Sequence, residues 1–493
     1  MKSLISSLLF FVCIVSASAQ SFTAKVVDAN LKTPIPYATI QIGPTNGVIS
    51  NEEGNFTINT TAEVKRVTIS CLGYSTLEVS LQDIAQNNHT VPLYESVNEL
   101  DEVVLSNTLP NAYDIISKVR SNWNANYKQD LIDHKIFYRE TGRVDFKKLD
   151  MRISKASNFK KAQLAIANSD LDALASDIIN GDIVHFTDFA GQYMIRDKDS
   201  SKLGVGRATE LIDKKKDFSL ERVEQRAKNI VLKYLDSSMT YKLKTGLFKI
   251  EDSLSLGKEM AKEAERKNEF RITDLKNRTR SAVNYTRLEE QSFFGKLLDP
   301  EFYEYELSGT TYFNGDLIYV ISFQPDRAKS KFEGKLYIDA NDYAVLKGDY
   351  SYSKGKRGQK FNLKLLLGIK YIENVNRGMI LFKKEESGHY TPQYIRHTEG
   401  EYFYINRPFK FIENSSEKKN VAFNFKIEGN SLSKNEILFV NSQPINEITF
   451  NKYQERETVP YQQLTKYETG IWENSHVLAP DEEMRTFDAR DNQ

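Results

Sequence analysis

Six histidines come first, because imidazoles are the commonest ligands of a catalytic metal. They are His89, His134, His185, His389, His397 and His476. None stands in the His-x-x-Glu or His-Glu-x-x-His spacing that sets two ligands side by side. His389 and His397 lie in a strand-rich stretch and could share a face, but Pro392 breaks the register between them. They read as a surface pair. No Gly-x-Ser-x-Gly elbow offers a nucleophile. Gly204-Val205-Gly206 has no third glycine and reads as a loop. There is no Gly-Lys-Ser/Thr phosphate loop and no Cys-x-x-Cys.

The acids are equally unspecific. Asn51-Glu52-Glu53-Gly54 gathers oxygens near a glycine, yet a calcium loop needs more ligands at wider spacing, so a turn is expected. Glu289-Glu290, Glu385-Glu386 and the Glu399/Glu401 pair read as solvated faces. Lys214-Lys215-Lys216 is flanked by Asp213 and Asp217, which makes a neutralised loop rather than a phosphate site. The sequence therefore nominates no catalytic, cofactor-binding or metal-ligating residue, and no cofactor. A non-enzymatic protein is expected.

The elements that would have to position any site follow from composition and pattern. The chain has 493 residues, 40% hydrophobic and 27% charged, with 67 basic and 67 acidic side chains. Such a balance argues against a nucleic-acid partner, since no net field attracts one. Tyr and Phe are abundant, 26 and 28, which favours strands. The first residues read as a secretory signal: Lys2, an apolar run from Leu4 to Val15, then Ala17-Ser18-Ala19 before Gln20. Removal of 1–19 takes away Lys2 and Cys13 and leaves Cys71 as a single, buried, structural thiol. No later apolar run reaches the length of a helical span. An exported protein is expected, periplasmic, outer-membrane-associated or secreted.

From Phe22 onward, short strands alternate with turn signals. Tyr37 to Ile42 puts Ala38, Ile40 and Ile42 on one side, Asn46-Gly47 reads as a tight turn, and Gly54 supplies a positive φ. Strands are expected at Phe56 to Ile58, Val64 to Leu72 and Thr76 to Leu81, which together make a small sandwich. Asp28, Pro34-Ile35-Pro36-Tyr37-Ala38-Thr39-Ile40, Gly47, Asn51-Glu52-Glu53-Gly54-Asn55-Phe56 and Ile69-Ser70-Cys71-Leu72-Gly73-Tyr74 together resemble the carboxypeptidase-regulatory-like domain. The resemblance implies a transthyretin-like (prealbumin-like) sandwich that is an accessory fold without catalytic zinc. Ala24 stands where that family usually has glycine.

Beyond Leu105 the period becomes helical over Pro110 to Asn124, 160–180 and Ser219 to Leu235, with a charged helix at 256–268 and a strand at Lys135 to Val144. From Glu301 the period is two. Hairpins are expected across Asn314-Gly315, Ala340-Asn341-Asp342 and Asn376-Arg377-Gly378, followed by strands at Gln393–Ile405, Val421–Glu428 and Ile437–Val440. Lys335, Lys347, Lys364, Lys370, Lys383 and Lys384 interrupt this meander, which argues for an ordinary sheet over a lipid-facing barrel. Tyr467 to Gln493, with seven acids and two arginines, is expected to be a solvated tail.

Two further resemblances bear on these regions. Leu100-Asp101-Glu102-Val103-Val104-Leu105, the Ala-Tyr-Asp-Ile-Ile helix and Phe137-Tyr138-Arg139-Glu140 follow the sandwich in an order similar to DUF5686-type envelope proteins. Tyr319 to Phe323, then Phe332 to Asp339, resembles the lipoprotein-carrier half-barrel, which implies a concave sheet able to hold acyl chains. The expected fold is mainly β with helices (α+β). Its parts are a signal at 1–19, a sandwich at 20–106, a mixed helix and strand region at 107–290, an antiparallel sheet at 291–450 and an acidic tail at 451–493. The expected function is a non-enzymatic envelope role, with the sandwich binding or positioning a partner: an envelope protein, a glycan or a lipid. A carrier of apolar ligands and a hydrolase with an unrecognised site are the alternatives.

Overall fold

The structure is a computed structural model that describes residues 20–43, 46–60, 64–96, 110–157, 160–181, 183–213, 238–246, 248–255, 268–472 and 475–489. The signal at 1–19, the strand at Leu100 to Leu105, the lysine run at Lys214 to Lys216 and the helices at Ser219 to Leu235 and 256–267 lie outside the described residues.

The amino-terminal unit holds β1 (Gln20–Asp28), β2 (Thr39–Ile42), β3 (Asn46–Ile49), β4 (Asn55–Thr60), β5 (Arg66–Ser70), β6 (Leu77–Ser80), α1 (Leu81–Gln86) and β7 (Thr90–Leu93). Its two sheets run β4-β1-β7 and β3-β2-β5-β6. Alternation puts Val26, Ile40, Phe56, Ile58 and Ile69 between them, all buried. Gly54 sits at φ 78°, and a Cβ there would stand 2.5 Å from the Val26 carbonyl, so only glycine fits. Asn51 Oδ1 accepts from the Glu53 and Asn55 amides and completes the expected turn. Asn46-Gly47 is a correction: both residues already belong to β3, where Gly47 pairs with Gln41, and the left-handed residue is Gly43 at φ 70°.

The rest forms one large sheet and a small two-stranded one, Glu269–Arg271 with Thr458–Pro460, with helices. After α2 (Ala112–Asn126) come β8 (Ile132–Ala156), α3 (Lys161–Ile179), β9 (Ile183–Ile195), β10 (Ser201–Ile212), β11 (Thr240–Thr245) and β12 (Phe248–Ser255). Next are β13 (Glu269–Arg271), α4 (Ile272–Tyr285), α5 (Phe293–Leu297), β14 (Tyr303–Phe313), β15 (Asp316–Pro325), β16 (Phe332–Asp339) and β17 (Val345–Tyr352). The chain continues through β18 (Lys360–Leu363), α6 (Lys364–Leu367), β19 (Ile369–Lys384), β20 (Tyr390–Glu413) and β21 (Asn420–Pro444). It closes with α7 (Glu447–Lys452), β22 (Thr458–Pro460), β23 (Gln462–Leu464) and α8 (Glu482–Thr486).

The strand order is β14-β15-β16-β17-β19-β20-β21-β8-β9-β10-β23, with β11 and β18 attached to β20 and β19, and β12 to β11. Strands from both sides of the boundary expected at 290/291 thus join in one sheet. The pairing of β8 with β21 runs from Ile132↔Pro444 to Ala156↔Val421 and absorbs three register shifts.

Four expectations change. Asn376-Arg377-Gly378 is not a hairpin: β19 runs straight through it, pairing with both β17 and β20. The two strands expected at Val421–Glu428 and Ile437–Val440 are one, β21. Gly204-Val205-Gly206 is not a loop but part of β10, with a register shift between Val205 and Arg207. The acidic carboxy-terminal stretch is not solvated throughout, because Ile471, Trp472, Val477, Leu478 and Met484 are buried against the sheet and the sandwich.

The sheet is covered on both faces. On one, α2, α4 and α5 bury Ile116, Val119, Val283 and Phe294 against Ile136, Ile318, Ile321, Leu336 and Ile380. On the other, the sandwich shares a continuous core with Phe137, Phe186, Leu381, Tyr394 and Leu438. α3 packs Ala167, Leu171 and Ile178 against Leu149, Ile153 and Phe423 at the far ends of the long strands.

Candidate binding site at the junction of sandwich and sheet

Each strand of the large sheet sends alternate side chains to opposite faces. On β8, Ile132, Ile136 and Tyr138 enter the helix-covered core, and Asp133, Lys135, Phe137 and Arg139 face the sandwich side. Among the described residues, the cavities on that second face include three around the seat of the sandwich. One of about 710 Å³ opens over β14–β17, between Glu304, Glu306, Lys335 and Asp349, and reaches Arg377 and Arg396. One of about 540 Å³ lies between Thr68, Ser70 and Thr76 of the sandwich and the Asn314-Gly315 turn. The third, about 850 Å³, lies over the ends of β8, β9, β10 and β21, with Asn46 of the sandwich at its edge.

The third cavity has the most specific chemistry. Its floor is backbone, because Gly191, Gly204 and Gly206 carry no side chains. A Cβ on Gly204 would fall 1.7 Å from the Tyr453 hydroxyl, so glycine is what lets Tyr453 lie across the strands. Asp133 is 5% exposed. Its Oδ2 accepts from Gln192 Nε2 at 3.3 Å and Gln443 Nε2 at 3.2 Å, and its Oδ1 has no hydrogen-bond partner among the described residues. Burial raises the carboxyl above its ordinary range, against the two amides that lower it. Lys135, Arg207 and Arg456 stand around the same space. A buried, unpartnered acceptor among two amides and three cations, of which Arg207 already holds the Ile471 carbonyl, makes a polar lining suited to a molecule with hydroxyl or amino donors and a negative group.

A charged seam ties the sandwich beside these cavities. Arg396 donates to the Tyr37 hydroxyl and to Glu52 Oε1 (2.5 Å), and Tyr37 donates to the same carboxylate at 2.9 Å. Burial would raise Glu52, but Lys434 and Arg396 outweigh it and hold the carboxyl below its ordinary range. Tyr37 stacks on Tyr394, whose hydroxyl donates to Glu436 at 2.6 Å. Behind the seam, Arg139 and Asp188 form a fully buried bidentate pair at 2.9 and 2.7 Å, and Arg139 also reaches the Ala479 carbonyl.

The histidines do not converge. His134 is buried on the helix-covered side of β8, bonded to Ser442, and burial pushes it down to about 3. His397 stacks on Tyr285 and is pushed down to about 4, again by burial. His389 meets the Ala125 carbonyl instead, so the structure does not bring the two together. Among the described residues no group of three His, Cys, Asp or Glu side chains could hold a metal ion. The acidic residues take local partners: Glu385 accepts from Thr391, Glu401 from Ser431, and Glu290 approaches Arg120. Cys71 is a free, half-buried thiol that burial pushes up to about 11. No helix among the described residues is long and apolar enough to cross a membrane.

Comparison with known proteins reaches the sandwich. The family model for the CarboxypepD_reg-like domain matches residues 22–105, so the amino-terminal unit is a carboxypeptidase-regulatory-like module. No curated protein matches the chain. Among solved structures, the chain aligns with a "putative membrane-associated protein of unknown function" from Bacteroides fragilis NCTC 9343. That alignment covers 86% of this chain and 97% of the other at 9% identity, with a TM-score of 0.12.

Proposed function

We propose that the protein is a non-enzymatic component of the cell envelope that binds a polar ligand where its accessory sandwich meets the large sheet. The Oδ1 of Asp133, buried and without a partner among the described residues, carries this reading, because such an acceptor costs stability unless a bound molecule completes it. An acidic glycan suits the chemistry: its hydroxyls donate to Asp133, and its carboxylates or sulfates meet Lys135, Arg207 and Arg456. The leader-like first residues and the accessory module support an envelope setting. The apolar-carrier reading is weaker, since side chains of α2, α4 and α5 fill the sheet face that would take acyl chains. The DUF5686-type order of elements fits the same setting and adds no chemistry.

Calorimetry of the full chain against acidic and neutral envelope saccharides tests the reading. The acidic ones should bind, and Asp133→Asn should weaken them about tenfold or more. The same variant should fold at least as stably, because it removes a buried charge. Unchanged binding by Asp133→Asn would overturn the assignment. Cleavage of a bound saccharide would overturn the non-enzymatic part.

A further inference from the structure

The charges of the chain cancel overall, but they are not evenly spread. Between Ser353 and Ile372 stand Lys354, Lys356, Arg357, Lys360, Lys364 and Lys370, with no acid among them. The same stretch carries the two most exposed large apolar side chains among the described residues, Leu365 at 106% and Leu366 at 80%. Phe361 and Leu363 on β18 are exposed beside them.

These leucines are not on a loose loop. α6 is a single turn closed by Gly368 at φ 67°, whose amide returns to the Lys364 carbonyl. Arg407 donates to the Leu367 carbonyl at 2.7 Å and to Thr245 Oγ1 at 3.1 Å, and its guanidinium lies over the Phe248 ring. That clamp brings the β11–β12 hairpin alongside α6 and adds exposed Phe248 to the patch. Lys364 lies 3.9 Å over the Tyr404 ring, and Lys370 packs over Tyr402, so both cations are held at the base of the leucines.

We propose that this end of the sheet docks on an anionic lipid surface, with Leu365 and Leu366 entering the acyl boundary and the surrounding lysines meeting the head groups. A contiguous exposed apolar patch marks an interaction surface. The charge pattern selects the occupant. A second copy of the chain would press the same cations together, whereas an anionic leaflet offers apolar depth and counter-charge in the order the side chains present them. Long lysine stems suit that position, since they can lie along apolar surface with the ammonium in the head-group layer. The proposal goes beyond the ligand reading above and shares no residue with it.

Vesicle co-sedimentation of the full chain tests it, using vesicles of phosphatidylcholine alone and of equimolar phosphatidylcholine and phosphatidylglycerol. Binding should be strong to the mixed vesicles and weak to the neutral ones, and should fall with salt. The exposed double variants Leu365→Ser/Leu366→Ser and Lys360→Glu/Lys364→Glu should each fold normally by circular dichroism and lose about tenfold in partition. Absent binding to mixed vesicles, or binding that both variants leave intact, would overturn the proposal. So would a dimer that the leucine variant abolishes without changing vesicle binding.

Discussion

The buried polar residues of the sheet make unequal contributions. Arg139 and Asp188 neutralise each other out of water, and removal of one partner strands the other. Arg139→Met should therefore cost about 3–5 kcal/mol in urea unfolding, and Arg139→Met/Asp188→Leu should recover most of it. A single variant no less stable than wild type would show that the pair is not the anchor its geometry describes. His134 and His397 act through pH instead. Their folded values, about 3 and about 4, lie below the ordinary 6.5, so the unfolded chain takes up protons that the folded chain refuses. Their contribution is fully present above that ordinary value and is lost as pH falls toward the folded ones, at up to about 1.4 kcal/mol per pH unit for each. Unfolding free energies measured across this window should fall with acid, and His397→Gln should flatten the slope. Equal slopes in the two proteins would count against the burial of a neutral imidazole.

At the scale of elements, local chemistry was legible wherever it was self-contained. Asn314 and Gly315 both take left-handed φ values and join β14 to β15 as their residue types require. Gly54 holds its turn for the same reason. Gly54→Ala should destabilise the sandwich by about 1–3 kcal/mol, since it combines backbone strain with a contact on the Val26 carbonyl. A melting temperature unchanged from wild type would contradict it. Turn-like residues misled where tertiary pairing outweighs them: Asn376-Arg377-Gly378 stays extended because β17 and β20 hold it from both sides. The candidate site was illegible for a related reason. Asp133, Gln192, Gly204, Gln443 and Tyr453 come from separate segments, and only the register of β8, β9, β10 and β21 assembles them. The lysines of 353–372 read, in sequence, as interruptions of strands. Their meaning appears once Leu365 and Leu366 are seen to point outward between them.

At the scale of the molecule, the question is whether the accessory module moves freely, as linked domains do by default unless their interface is large and apolar. Here it does not hang from a linker alone. Its core is continuous with the sheet through Phe137, Phe186, Leu381 and Tyr394, and the carboxy-terminal stretch straps the two together. Trp472 stands edge-to-face on Phe137 of the sheet, and its carbonyl accepts from Asn59 of the sandwich at 3.0 Å. Asn51 reaches the Pro480 carbonyl, and Glu53 accepts from the Glu482 amide at 2.7 Å, so one end of the strap holds β4 at Asn59 and the other holds the turn before that strand. Trp472→Ala removes the side chain that fills this junction and should cost about 3–5 kcal/mol of the coupling between the two parts. Sandwich and sheet should unfold together in the parent chain, with coincident transitions by fluorescence and far-ultraviolet dichroism. In the variant the transitions should separate, and the junction should become sensitive to brief proteolysis. Coincident transitions at an unchanged midpoint would mean that the apolar contact alone fixes the module, and that the strap is not what holds the candidate site in shape.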